Sequence, residues 1–140
     1  MTGAEERPAR VARYREIRRR LGPRTSRRVF EALVTEALDG LPAFVRARLE
    51  NVAVVVEEWP TPDQGADLLG LYEGVNRLER ADGYHLAVPD RITLFRQPIL
   101  AEVGGGGHEA IVREVRATVV HEVAHHLGMD DEELRRLEGR

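Results

Sequence analysis

Hydrophobic positions along this 140-residue chain recur in three patterns, and each predicts its own kind of element. Phe30, Leu33, Val34, Ala37 and Leu38 return at helical spacing, which predicts a helix from a cap at Ser26 or Thr25 to about Leu38. Asp39-Gly40 stops it, and Pro42 opens a shorter helix that ends near Leu49. Val52 to Val56 is an unbroken, mostly β-branched run, bounded by Pro60 and Pro62, and reads as a buried strand. Leu68 to Tyr72 is a second strand, weakened by Gly70. Arg91 to Arg96 alternates polar and apolar, the mark of a half-buried third strand. Glu73 to Asp90 is polar and turn-rich, a surface loop. Pro98 to Val103 predicts a helical turn, and Gly104 to Gly107 a flexible loop.

The longest helix is expected from about His108 to Leu127. Near 100° per residue, Val112, Val119, Val123 and Leu127 gather on one side of it. Glu114, Thr118, His121 and His125 fall within about 60° of each other on the opposite side. Such a helix lies on a core and lines a cleft with its other face.

Composition narrows the class. Hydrophobic content of 42% and charged content of 32% suit one globular domain with a single core. Cysteine is absent, which excludes a disulfide framework and any thiolate metal site. No apolar stretch is long enough to span a bilayer, and the first thirty residues carry no apolar signal core, so a cytoplasmic protein is expected. Every basic residue is arginine. Residues 1–28 carry ten arginines and three acids, a net +7, while residues 29–140 carry eleven arginines and twenty-one acids, a net −10. The division expected is an arginine-rich arm over 1–24, partly disordered or with a short helix from Pro8 to Leu21, and a domain over 25–140, with Gly22-Pro23 at the boundary. The arm can touch nucleic acid or an acidic surface, but only Tyr14 interleaves with its arginines as a stacking residue, so a solvated leader is the better reading.

The chemistry sits at the end of the long helix, in His121-Glu122-Val123-Ala124-His125-His126-Leu127-Gly128-Met129-Asp130-Asp131. Histidines four apart leave one face of a helix about a turn from each other, so two ring nitrogens can meet one Zn²⁺. Glu122 then stands beside the metal as a general base. Gly128 lets the chain leave the helix abruptly. Asp131 is the candidate third ligand; Asp130 is the alternative, with either one capping a following helix from Asp131 to Glu138. His126, about 140° round from His121, is too far to bind the same ion and is expected to be a partly buried histidine beneath the site. Glu114 and Thr118 are candidates to support the ligands from behind.

These residues resemble the minimal zincin-like metallopeptidases of bacteria. The matching stretches are Leu49 to Glu57, Leu69 to Gly74, Pro89 to Arg96 and Thr118 to Gly128, within a span of residues 28 to 138. The motif is of the H-E-x-x-H-x-x-G-x-x-D kind, similar to the snapalysin variant of metzincins. The resemblance implies an α+β fold, a minimal zincin-like core in which a small mixed β-sheet packs against the active-site helix with flanking helices. It also implies metal binding by His121, His125 and Asp131, with Glu122 as the catalytic base. One departure is plain: only nine residues follow Asp131, leaving no room for a Met-turn, and Met129 lies inside the motif loop.

The expected function is a peptidase holding one zinc ion per chain and acting on a peptide or protein substrate, in which Glu122 takes the proton of a metal-activated water. An edge strand near Arg91 to Arg96 is expected to pair with an extended substrate. The alternative is a metal-stabilised, non-catalytic module that binds a protein or nucleic acid through the arginine arm. Glu122 favours catalysis, because a purely structural zinc site is closed by four ligands and has no use for an adjacent carboxylate. Hydrolysis of a non-peptide amide fits the same residues. No membrane partner is expected.

Overall fold

The computed structural model describes residues 25–65, 67–74 and 89–138. The arginine arm, its short predicted helix and most of the loop predicted between Glu73 and Asp90 lie outside the described residues. Those that are described form α1 (Arg27–Asp39), α2 (Ala43–Arg48), β1 (Val52–Glu57), β2 (Gly70–Glu73), β3 (Asp90–Phe95), α3 (Arg96–Val103), α4 (Gly107–His126) and α5 (Asp131–Glu138). The architecture is α+β, as the resemblance implies: a small mixed sheet with helices packed against it.

Local chemistry explains most of the boundaries. Ser26 caps α1, its hydroxyl accepting from the Val29 amide. Pro42 precedes α2, where its missing N–H costs nothing. The turn predicted at Pro98 grows upstream into a full helix: α3 begins at Arg96, directly from the end of β3. Gly128 adopts φ +75°, a conformation open to glycine at little cost, and this ends the motif helix as its sequence predicts.

In the sheet, β3 is central, parallel to β1 on one side and antiparallel to β2 on the other. This corrects the edge-strand expectation for Arg91 to Arg96. Both edges of that segment are already paired, Val54 standing opposite Ile92 in one register and Tyr72 opposite Ile92 in the other. Ile92 to Phe95 is consequently buried throughout rather than half-buried. β1 shows the reverse. Its apolar run predicts full burial, but it lies at a sheet edge and is half-buried, with Val52, Val54 and Val56 packed on the core. Among the described residues β2 is the other edge strand.

The core lies between the sheet and four helices, α1 to α4. Phe30, Leu33, Val34 and Ala37 of α1 meet Ile111, Val115, Val119 and Val123 of α4 and Ile92 and Leu94 of β3. Each large apolar side chain removed from water here contributes about 1.5–3 kcal/mol. An ion cluster stands at one margin. Arg96, its side chain 8% exposed, donates to both carboxylate oxygens of Glu58 and, through Nη1, to the Thr25 carbonyl at 2.7 Å. Gln97 donates to the same carboxylate at 3.0 Å. These bonds hold Glu58 below the usual carboxylate range, against the opposing effect of its burial.

Candidate active site

Helix α4 carries the motif with its two faces separated as predicted. Val112, Val115, Val119 and Val123 are buried, while His121 and His125 face solvent. The two imidazoles stand side by side, ring centroids 4.3 Å apart and planes tilted by 43°. This is the consequence of i, i+4 spacing at the end of a regular helix. Glu122 is turned inward, its side chain 12% exposed.

Beside these residues lies a cleft of about 410 Å³ between α4 and the β2 edge. Glu114, Thr118, His121 and Glu122 form its helical wall, and Leu69 and Gly70 the opposite one. The walls approach closely because position 70 has no side chain. A Cβ there would lie 2.7 Å from Thr118 Cγ2 and 3.3 Å from the Thr93 carbonyl oxygen. The glycine that weakens β2 in the sequence is thus what lets the strand meet the motif helix. Thr118 is buried and donates to the Glu114 carbonyl at 2.8 Å. Burial, reinforced by repulsion from Glu102, lifts the Glu114 carboxyl above its ordinary value.

The structure corrects the reading of His126. Instead of lying beneath the site it is 44% exposed, stacked on Tyr72 with centroids 4.8 Å apart and planes 10° from parallel. Its Nε2 lies 3.3 Å from Glu122 Oε2. The physical reason is its spacing. His126 is one turn beyond Glu122, not beyond His121, and the helix ends there with no core below. Tyr72 donates its hydroxyl to Asp90 at the start of β3. No sequence signal marks Tyr72 as a neighbour of the motif, because the contact depends on how β2 is placed.

Beyond Gly128 the two aspartates take different positions. Asp130 closes a reciprocal cap on α5: its Oδ1 accepts from the Glu133 amide at 2.8 Å, and its own amide donates to Glu133 Oε1 at 3.1 Å. Asp131 is exposed in the first turn of α5. Among the described residues no three histidine or acidic side chains are gathered closely enough to hold a metal ion. The structure therefore brings His121 and His125 together and sets Glu122 beside them, and leaves Asp131 outside that group. The pair fits zinc in donor chemistry, two imidazoles side by side at solvent with a carboxylate adjacent.

A family model for zincin-like metallopeptidases matches residues 49–140. The chain belongs to this family. The match begins at the entry to β1 and runs through β2, β3, α4 and α5, so the likeness expected from residue 28 is shown from residue 49 onward. No curated protein matches the chain. A zincin-like domain thus accounts for the sheet and the motif helix, whereas α1 and α2, which complete the core behind them, lie outside the matched span. Among the described residues no helix is long and apolar enough to cross a membrane.

Proposed function

We propose that this zincin-like protein is a peptidase holding one zinc ion per chain, with His121, His125 and Asp131 as ligands and Glu122 as general base. The observation that carries the reading is the pairing of the His121 and His125 rings at 4.3 Å, with Glu122 on the wall of the adjoining cleft. Zinc bound to three protein ligands lowers the pKa of a bound water to about 7 and polarises a carbonyl. Glu122 would accept the proton from that water and return it to the leaving amine. Its inward position, beside His126, holds the carboxylate at the cleft wall and away from bulk solvent. Asp131 is favoured over Asp130 because the Asp130 carboxylate is engaged in capping α5.

The substrate would be an extended peptide. Leu69 and Gly70, at the start of β2, line the cleft opposite the motif helix, and an extended segment would lie alongside them. β2 takes the role that the sequence suggested for Arg91 to Arg96.

Glu122→Gln tests the reading against a peptide library with zinc titrated in parallel. Turnover is expected to fall by about 10²–10⁴-fold with zinc affinity retained. Cleavage at the original rate in that variant would overturn the assignment of the base, and loss of zinc would reassign Glu122 to the metal.

A further inference from the structure

Five acids among the described residues are half-buried: Glu58, Asp90, Glu114, Glu122 and Glu133. Water solvates such a carboxylate only in part, so it is ordinarily matched by a donor from the protein. Four of the five are. Glu58 accepts from Arg96 at 2.7 Å, and Glu133 accepts at 2.8 Å from Arg48, which also donates to the Gly128 carbonyl. Asp90 accepts from the Tyr72 hydroxyl, and Glu122 has His126 Nε2 at 3.3 Å. Glu114 is the exception. Its carboxylate makes no hydrogen bond or ion pair with any described residue, and the charge that acts on it is the like charge of Glu102.

What Glu114 does face is the cleft. It lines that space with Ala117, one turn along the same helix, and with Leu68 and Leu69 from the segment that leads into β2. Asp67 adds a second carboxylate, and among the described residues no arginine contributes to the lining. Apolar walls with a carboxylate among them match a side chain that is apolar along its stem and cationic at its tip, as arginine and lysine are. We propose that Glu114 determines specificity: the cleft takes an arginine or lysine side chain of an extended peptide, its stem against Leu68, Leu69 and Ala117 and its cation on the Glu114 carboxylate. This rests on the reading of the protein as a peptidase with Glu122 as general base. Glu114 precedes His121 by seven residues, about 10 Å along the helix axis or about three residues of extended chain. The charge is thus read close to the cleaved bond without contact with the reacting atoms. The raised Glu114 carboxyl is consistent with this, since a bound cation favours the charged form that burial and Glu102 oppose.

The test uses the full chain with zinc and an N-acetylated, C-amidated peptide library, so that no terminal charge competes. Cut sites are expected to carry arginine or lysine within about three residues of the cleaved bond. Replacing that residue by citrulline in a resynthesised peptide keeps the shape of arginine and removes its charge. The kcat/KM should then fall about tenfold, between the small effect of an exposed ion pair and the larger one of a buried pair. Glu114→Gln breaks no side-chain bond of the folded protein and is expected to fold. It should cut the basic peptide about tenfold more slowly and the citrulline peptide as the wild type does, so that the preference disappears. A merely structural glutamate would slow both peptides alike. Glu109→Gln, the same change at an exposed position of the same helix, should keep the preference. Equal wild-type rates on the two peptides, a preference retained in Glu114→Gln, or an equal loss on both peptides overturns the proposal. A basic preference seen only in unacetylated peptides assigns the cation to a terminal amine and overturns it as well. Unchanged cleavage in Glu122→Gln, or no cleavage by the zinc-loaded wild type, defeats the peptidase reading and this inference with it. If Glu122→Gln abolishes cleavage and Glu114→Gln leaves the preference intact, only the role of Glu114 is lost.

Discussion

The two faces of α4 are cut from the same twenty residues, yet different forces hold them. The face toward α1 and β3 is a row of valines in a fully packed interior, where position is set by burial and by neighbours on every side. The face toward β2 carries Glu114, Thr118, His121 and Glu122 along a cleft, where position is set by a few hydrogen bonds and one close backbone approach. The valine face anchors the helix in the core, and the cleft face can then present chemistry without contributing much to stability. The contrast predicts that substitutions on the two sides separate stability from function.

The largest effect is expected where α1 meets the valine face. Phe30 is completely buried there. Phe30→Ala removes a ring that the surroundings cannot replace and should cost about 3–5 kcal/mol in urea denaturation. The protein that remains folded should bind zinc as the wild type does. A large change in zinc affinity at full folding would show that the two faces are not separable.

A smaller effect is expected where the cleft face touches the sheet. Gly70→Ala places a methyl group 2.7 Å from Thr118 Cγ2, so either β2 or the threonine must move. Overpacking of this kind costs about 1–3 kcal/mol. Thr118→Ser deletes the offending methyl and keeps the hydroxyl that donates to Glu114, so the double variant should recover most of the loss. Failure of the serine to rescue would shift the cause to the Thr93 carbonyl, 3.3 Å away on the other side.

These two sites also show what a sequence can and cannot disclose. The valine face was legible because 3.6-residue periodicity is a property of one helix and needs no partner. The His121–Glu122–His125 pattern was legible for the same reason, since i, i+4 geometry is local. Gly70 carried a partial signal, a glycine within a strand, but not the identity of the side chain it admits. Strand order was not legible. A short alternating segment says that one face is buried and not how many edges are paired, so the pattern points to an edge where β3 is the centre. The contacts of Tyr72 with His126, of Arg48 with Gly128 and of Arg96 with Glu58 join residues far apart in the chain. Charged residues in a composition rich in both signs give no hint of which ones will meet.

The smallest effect is electrostatic, and it separates the cleft from the ion cluster by sign. Glu114, on the cleft face, has its carboxyl raised above the ordinary value of 4.5 by burial and by Glu102. The folded protein then holds that proton more tightly than the unfolded chain does. Its cost to stability is absent well below pH 4.5 and is fully present once the pH has risen through the raised value. Glu58 is the opposite case, lowered from 4.5 by its bonds to Arg96 and Gln97. Its contribution is present above that ordinary value and is lost as the pH falls through the lowered one. Glu114→Gln should accordingly stabilise the fold slightly at neutral pH and do nothing in acid. Glu58→Gln should destabilise at neutral pH, with the difference from wild type fading in acid. Because both carboxylates are only half-buried and partly screened by solvent, each change should stay well below that of Phe30→Ala. Urea midpoints for the two variants, taken at intervals from about pH 3 to pH 7, should move in opposite directions as the pH rises. Parallel curves would mean that the carboxylate in the cleft is held by a partner as the one in the ion cluster is, and the contrast between the regions would fail at its electrostatic end.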